Sequence, residues 1–209
     1  MIKRDGRKSS QKILITFVLA LPYLLGLIFS GQSPQGLTLN FSFFFRETIL
    51  RFPFLLFAIW AFKTFPLPHS QTGRIRSLLW IIPLVITSLG LGYLLKPNQS
   101  SWVSQGSPWT YMMGAILLAL VTATTEECFF RGWLLGILPP HQKNTFVWGL
   151  ISAASFAIIH FWEGPQTVFL AFLSGLFYAW VYKKTHRLLP LILAHTLHNT
   201  LAFMLLLIR

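Results

Sequence analysis

The chain has 209 residues; 54% are hydrophobic, only 11% carry a formal charge, and the net charge is +12. A soluble domain carries about twice that charged fraction, so an ordinary water-soluble globule is excluded. The single cysteine, Cys128, excludes an intramolecular disulfide framework and a cysteine-cluster metal site.

Apolar residues arrive in seven blocks: Ile13–Phe29, Phe52–Phe62, Leu78–Leu95, Tyr111–Thr125, Thr145–Ile159, Val168–Val181 and Leu188–Ile208. A helix needs roughly 20 mostly apolar residues to cross a bilayer core. In lipid every backbone polar group must be paired within the structure, so such blocks read as helices rather than open sheet. The expected fold is all-α: a polytopic transmembrane bundle of about seven spans, forming a single membrane domain over residues 1–209.

In chain order, Lys3, Arg4, Arg7, Lys8 and Lys12 precede the first block, as in a signal peptide. That block is long and the Phe29–Gln35 stretch lacks a small-x-small cleavage site, so it reads as a retained helix. Ser30–Asn40 and Lys96–Pro108 read as outer loops and Pro66–Arg76 as an inner loop. Pro139-Pro140 should end the fourth helix. Glu163-Gly164-Pro165 breaks the fifth from the sixth. The basic clusters before the first block, at Lys63, Arg74 and Arg76, and at Lys183, Lys184 and Arg187 fall on one side of a seven-span chain, with Lys143. They predict a cytoplasmic N-terminus. Arg46, Arg51, Lys96 and Arg209 are left outside. This asymmetry explains the basicity through lipid head groups and without a nucleic-acid partner. Short loops and the positive-inside pattern suggest a bacterial inner membrane.

The halves differ in kind. Residues 1–108 hold Asp5 and Glu47 as their acidic groups and read as peripheral transmembrane helices. Residues 109–209 place Glu126, Glu127, Arg131, His160, His195 and His198 in or at the edge of spans. Ionisable groups in a membrane are costly and mark functional sites. Glu127 and Arg131, four apart, can pair along a helix. Glu126 is rotated about 100° from Glu127 and needs another partner. Burial and a like charge raise a carboxylate pKa while Arg131 opposes both, so one carboxylate can be poised as a general base. A helix-pairing salt bridge is the structural alternative. His160 can share a water with a carboxylate, or it is an interfacial histidine. His195 and Asn199 project from one helix face and could hold an oxyanion; otherwise they are interhelical hydrogen-bond glue.

Glu126-Glu127-x-x-x-Arg131, Phe156-x-x-x-His160 and His195-x-x-x-Asn199, in that order between about Tyr111 and Ala202, resemble the CPBP family. That family includes the type II CAAX prenyl endopeptidases. The resemblance implies an intramembrane glutamic endopeptidase with 109–209 as its catalytic core. Glu126 and His160 would activate water, and His195 and Asn199 would stabilise the oxyanion. Glu127 and Arg131 would support the geometry, with no cofactor and no metal. The implied partners are membrane lipid and a membrane-associated peptide or protein, prenylated or not. His198 is a secondary candidate beside Asn199. The expected spans put His195 shallower than Glu126 or His160, with a spread near 10 Å. The rivals are a metal-dependent membrane peptidase using the same residues, a non-catalytic immunity or binding protein, and a transporter. A Cys128 peptidase is disfavoured because Cys128 points away from Glu126.

Overall fold

The computed structural model describes residues 10–21, 38–39, 41–65, 67–69, 73–95, 103–104, 107–137 and 145–205. Eight α-helices carry almost all of this: α1 (Ser10–Leu21), α2 (Phe41–Thr64), α3 (Arg74–Leu78), α4 (Ile81–Leu95), α5 (Pro108–Glu127), α6 (Thr145–Ile158), α7 (Pro165–Thr185) and α8 (Leu189–Leu205). A π-helix, Cys128–Ile137, continues α5 directly, and a 3-10 turn, Phe161–Glu163, joins α6 to α7. Two two-residue strands, β1 (Thr38–Leu39) and β2 (Val103–Ser104), pair in parallel. Most of both expected outer loops, Pro139-Pro140, and the far ends of the first and last apolar blocks lie outside the described residues.

Several helices are longer than their apolar blocks, for local reasons. Helix α2 begins eleven residues before Phe52, taking in Arg46, Glu47 and Arg51. These charges satisfy one another on the helix: Arg51 Nη1 donates to Glu47 Oε2 at 2.8 Å, an i,i+4 pair, and Arg46 reaches Glu47 at 3.3 Å. Arg74 and Arg76 belong to α3 rather than to a loop. Pro108 starts α5, where its missing N–H costs nothing. The break after α6 is as compact as its sequence suggests. Gly164 takes φ +97°, open to glycine and strained for other residues, and Pro165 restarts the helix.

Small residues allow a close contact between α6 and α7. A Cβ on Gly175 would stand 3.2 Å from the Ala153 Cα, so α6 and α7 meet almost backbone to backbone there. Ala171, Gly175 and Ala179 recur at four-residue steps on α7, all buried. This small-residue spacing lets membrane helices pack without a hydrophobic driving force between them.

Among the described residues the bundle has a largely apolar outer face, and its buried charged groups gather at one place within. Met113, Ile116, Leu117 and Leu120 on α5 and Leu79, Ile82 and Ile86 along α3–α4 are exposed, whereas Glu126, Glu127, Arg131 and His195 are buried. Such an outer face is unfavourable in water and natural against lipid tails. Among the described residues, Arg74–Tyr93 and the 30-residue Pro108–Ile137 are long and apolar enough to cross a membrane.

Candidate active site

The polar interior is assembled where α5 passes into the π-helix. π-Helical turns are rare and recur at functional sites. Here the transition falls between Glu127 and Arg131, which are both fully buried. Arg131 Nη1 donates to Glu127 Oε1 at 3.1 Å, and Nη2 donates to the Gly175 carbonyl of α7 at 3.3 Å. Its guanidinium lies over the Phe156 ring at 4.6 Å and the Tyr178 ring at 5.4 Å. A buried cation is thus given an anion, a carbonyl and two aromatic faces.

His195 enters from α8 and bridges the two adjacent glutamates. Its Nδ1 lies 2.9 Å from Glu127 Oε1 and its Nε2 lies 3.6 Å from Glu126 Oε2. A carboxylate only accepts, so Nδ1 carries the proton of the shorter contact. That leaves Nε2 facing Glu126. Glu126 was expected to face away from Glu127 toward a different partner. Both instead reach the same imidazole, one at each ring nitrogen, because a 100° rotation on α5 is spanned by the width of the ring.

The expected spans set Glu126 and His195 at different depths, yet their side chains meet at 3.6 Å. Tyr111 meets the Phe203 carbonyl at 2.9 Å near one end of α5 and α8. From there the chain advances sixteen residues along α5 to Glu127 but only eight along α8 to His195.

His160 stands just past the end of α6. Its Nδ1 donates to the Phe156 carbonyl at 2.9 Å, which leaves Nε2 as the free acceptor, the tautomer a proton-accepting role needs. Phe156 separates the two histidines, 5.0 Å from the His160 ring and 5.8 Å from His195, edge to face with the latter. Asn199, one turn beyond His195, is half-buried. His198 lies within electrostatic reach of both His195 and His160. Its Nδ1 is buried and unpartnered among the described residues. Cys128 sits in an apolar cluster with Phe129, Phe130 and Trp133. Among the described residues no three His, Cys, Asp or Glu side chains converge in the manner of a metal site.

Sequence reasoning singled out the charged residues and missed their supports. Tyr178 packs edge to face on His195 at 5.8 Å and over Arg131, and nothing in its sequence context distinguishes it from a core tyrosine. Gly175 could have been found from the small-residue spacing of α7. Phe156, noticed only as a motif position, is the ring against which Arg131, His160 and His195 are all set. Glu163, read only as part of a helix break, lies within electrostatic reach of His160 and Glu126.

Residues 108–201 match the family described as type II CAAX prenyl endopeptidase, Rce1-like. The match opens on the first residue of α5, closes within α8 and takes in every site residue above. No curated protein and no solved structure matches the chain.

Proposed function

We propose that this chain, whose residues 108–201 match the type II CAAX prenyl endopeptidase family, is a membrane-bound glutamic endopeptidase. It cleaves a peptide bond in a membrane-associated peptide or protein through a water activated by Glu126 and His160. The observation that supports this most is the His195 imidazole set between two buried carboxylates, one of them neutralised by Arg131.

Each group has a task that its surroundings suit. Among the described residues Glu126 has no cationic partner beyond His195, so its carboxylate is available to take a proton from water. His160, fixed by the Phe156 carbonyl, offers Nε2 to the same water. His195 holds a proton at Nδ1 against Glu127 and, when protonated at Nε2 also, presents a donor to the oxygen of the scissile carbonyl. Asn199 supplies a second, neutral donor one turn away. Glu127 then does more than pair with Arg131: it orients His195 and stabilises its charged form. The proton taken up by Glu126 is delivered to the leaving amine as the tetrahedral intermediate collapses, closing the proton balance.

The bundle lies in the bilayer with about seven spans and its N-terminus in the cytoplasm, as the basic clusters direct. The substrate class is a peptide segment at the membrane, prenylated or not, and the bacterial inner membrane is the proposed location.

The test is cleavage by purified, metal-stripped protein in lipid, wild type beside Glu126→Gln, with labelled membrane-anchored peptides, prenylated and unprenylated. Cleavage that survives chelation and disappears in Glu126→Gln is expected. Loss on chelation with recovery on adding Zn²⁺ would replace the glutamic mechanism by a metal-dependent one.

A further inference from the structure

The chain has only five acidic residues against seventeen Lys and Arg. Three of the five, Glu126, Glu127 and Glu163, gather at this site. Glu127 is matched by Arg131, and Glu126 belongs to the water-activating pair. Glu163 has no role in that chemistry.

Its position is well defined. Glu163 closes the 3-10 turn that follows His160, and its N–H donates to the His160 carbonyl at 3.0 Å. Its own carbonyl accepts from Thr167 Oγ1 at 3.1 Å, in the first turn of α7. The turn is therefore pinned to both helices it joins, and the Glu163 backbone is fixed relative to His160. The Glu163 side chain is solvent-accessible. It is nonetheless so surrounded by protein that burial is the main influence raising its carboxyl above the usual range, with His160 lowering it and Glu126 raising it. Glu163 is thus open to solvent while lying within electrostatic reach of His160 and Glu126. Among the described residues no Lys or Arg pairs with it. Its charge lies within electrostatic reach of His160 and Glu126.

Resting on the peptidase reading above, we propose that Glu163 is a specificity-determining residue at the entrance to the site. It favours peptides with Lys or Arg next to the scissile bond and disfavours those with an acidic residue there. An exposed ion pair is modest, so the Lys-over-neutral preference should be roughly fivefold and the Lys-over-acidic preference larger. Because the contact is made on entry, the effect belongs in KM more than in kcat.

The experiment uses the full chain in phosphatidylcholine vesicles, a neutral bilayer that does not itself sort peptides by charge. Three matched membrane-anchored peptides differ only in carrying Lys, Gln or Glu beside the bond. Cleavage is measured for wild type, Glu163→Asp, Glu163→Gln and Glu163→Lys. Binding is measured by fluorescence anisotropy with the same Glu163 variants built on Glu126→Gln. The expected order is Lys, then Gln, then Glu, kept in Glu163→Asp, levelled in Glu163→Gln and inverted in Glu163→Lys. Binding graded this way with no cleavage would sink the peptidase reading and leave Glu163 as the selector. Cleavage or binding insensitive to peptide charge, or the same order in all four proteins, would overturn the proposal and leave the peptidase reading standing.

Discussion

Replacing Arg131 by Met tests the charge hub most directly, because the substitution nearly conserves volume while removing the cation. Glu127 is fully buried, and one of its oxygens, Oε2, has no partner among the described residues. Without Arg131 the other oxygen keeps only His195. Breaking a buried pair by deleting one partner costs about 3–5 kcal/mol, since the remaining charge is neither solvated nor matched. Removing both charges together avoids that penalty. Glu127→Gln/Arg131→Met should therefore recover at least about half of the loss, because uncharged replacements of buried pairs are often near neutral. Equilibrium unfolding in mixed micelles for the wild type, both single variants and the double variant gives the coupling energy. Activity should not follow stability. The double variant refolds the hub but removes the carboxylate that orients His195, so it stays inactive. A double variant no more stable than Arg131→Met, or an Arg131→Met loss under about 1 kcal/mol, would refute the view that this pair carries the buried charge balance.

Other outcomes follow from the same geometry. Glu127→Gln should cut kcat about 10²-fold or more by loosening His195, with KM little changed, if the imidazole acts in the transition state; unchanged turnover would return Glu127 to a structural role. Gly175→Val places branches where a single Cβ already meets Ala153 at 3.2 Å. It should cost about 1–3 kcal/mol in the same unfolding assay and lower activity by shifting the carbonyl that holds Arg131. Cys128→Ser should keep substantial turnover, and its abolition in a well-folded variant would revive a thiol mechanism. The Lys preference assigned to Glu163 requires the ionised carboxyl. Burial raises that carboxyl, so the preference should be full above its raised titration range and fade on acidification at a higher pH than for a free glutamate. The measurement is the ratio of kcat/KM for the Lys and Gln peptides, in which titration of His160 and Glu126 common to both cancels. A ratio that rises on acidification would contradict the assignment.

The sequence carried the ionisable residues plainly because polar groups in apolar runs are rare and costly. The i,i+4 rule was enough to foresee the contact between Glu127 and Arg131. Helix boundaries were less legible. An apolar-block reading stops at charge, whereas Glu47 and Arg51 neutralise each other on α2 and let the helix continue. The π-helical stretch left no recognisable mark, since Cys128–Ile137 reads as ordinary apolar helix. The shared use of His195 by both glutamates was illegible as well. It depends on how α5 and α8 pack against each other, which no single segment encodes.

The same packing explains how a lipid-facing protein tolerates so much charge inside. Arg131 ties the π-helix to α7 through the Gly175 carbonyl, and His195 ties α8 to Glu127. Phe156 brings α6 against both, while Ser152 of α6 donates to the Phe130 carbonyl at 2.8 Å. Four helices thus converge on one ion pair, with the proposed water-activating groups, Glu126 and His160, at its edge. In the proposed mechanism stability concentrates at Glu127 and Arg131, and chemistry is displaced by one residue to Glu126. Adjacent glutamates are suited to this division: neighbouring positions on a helix share a partner yet differ in whether a guanidinium neutralises them. If that is the logic of the pair, exchanging the roles should fail. Glu126→Gln should fold and not cleave, whereas Arg131→Met should lose both stability and cleavage.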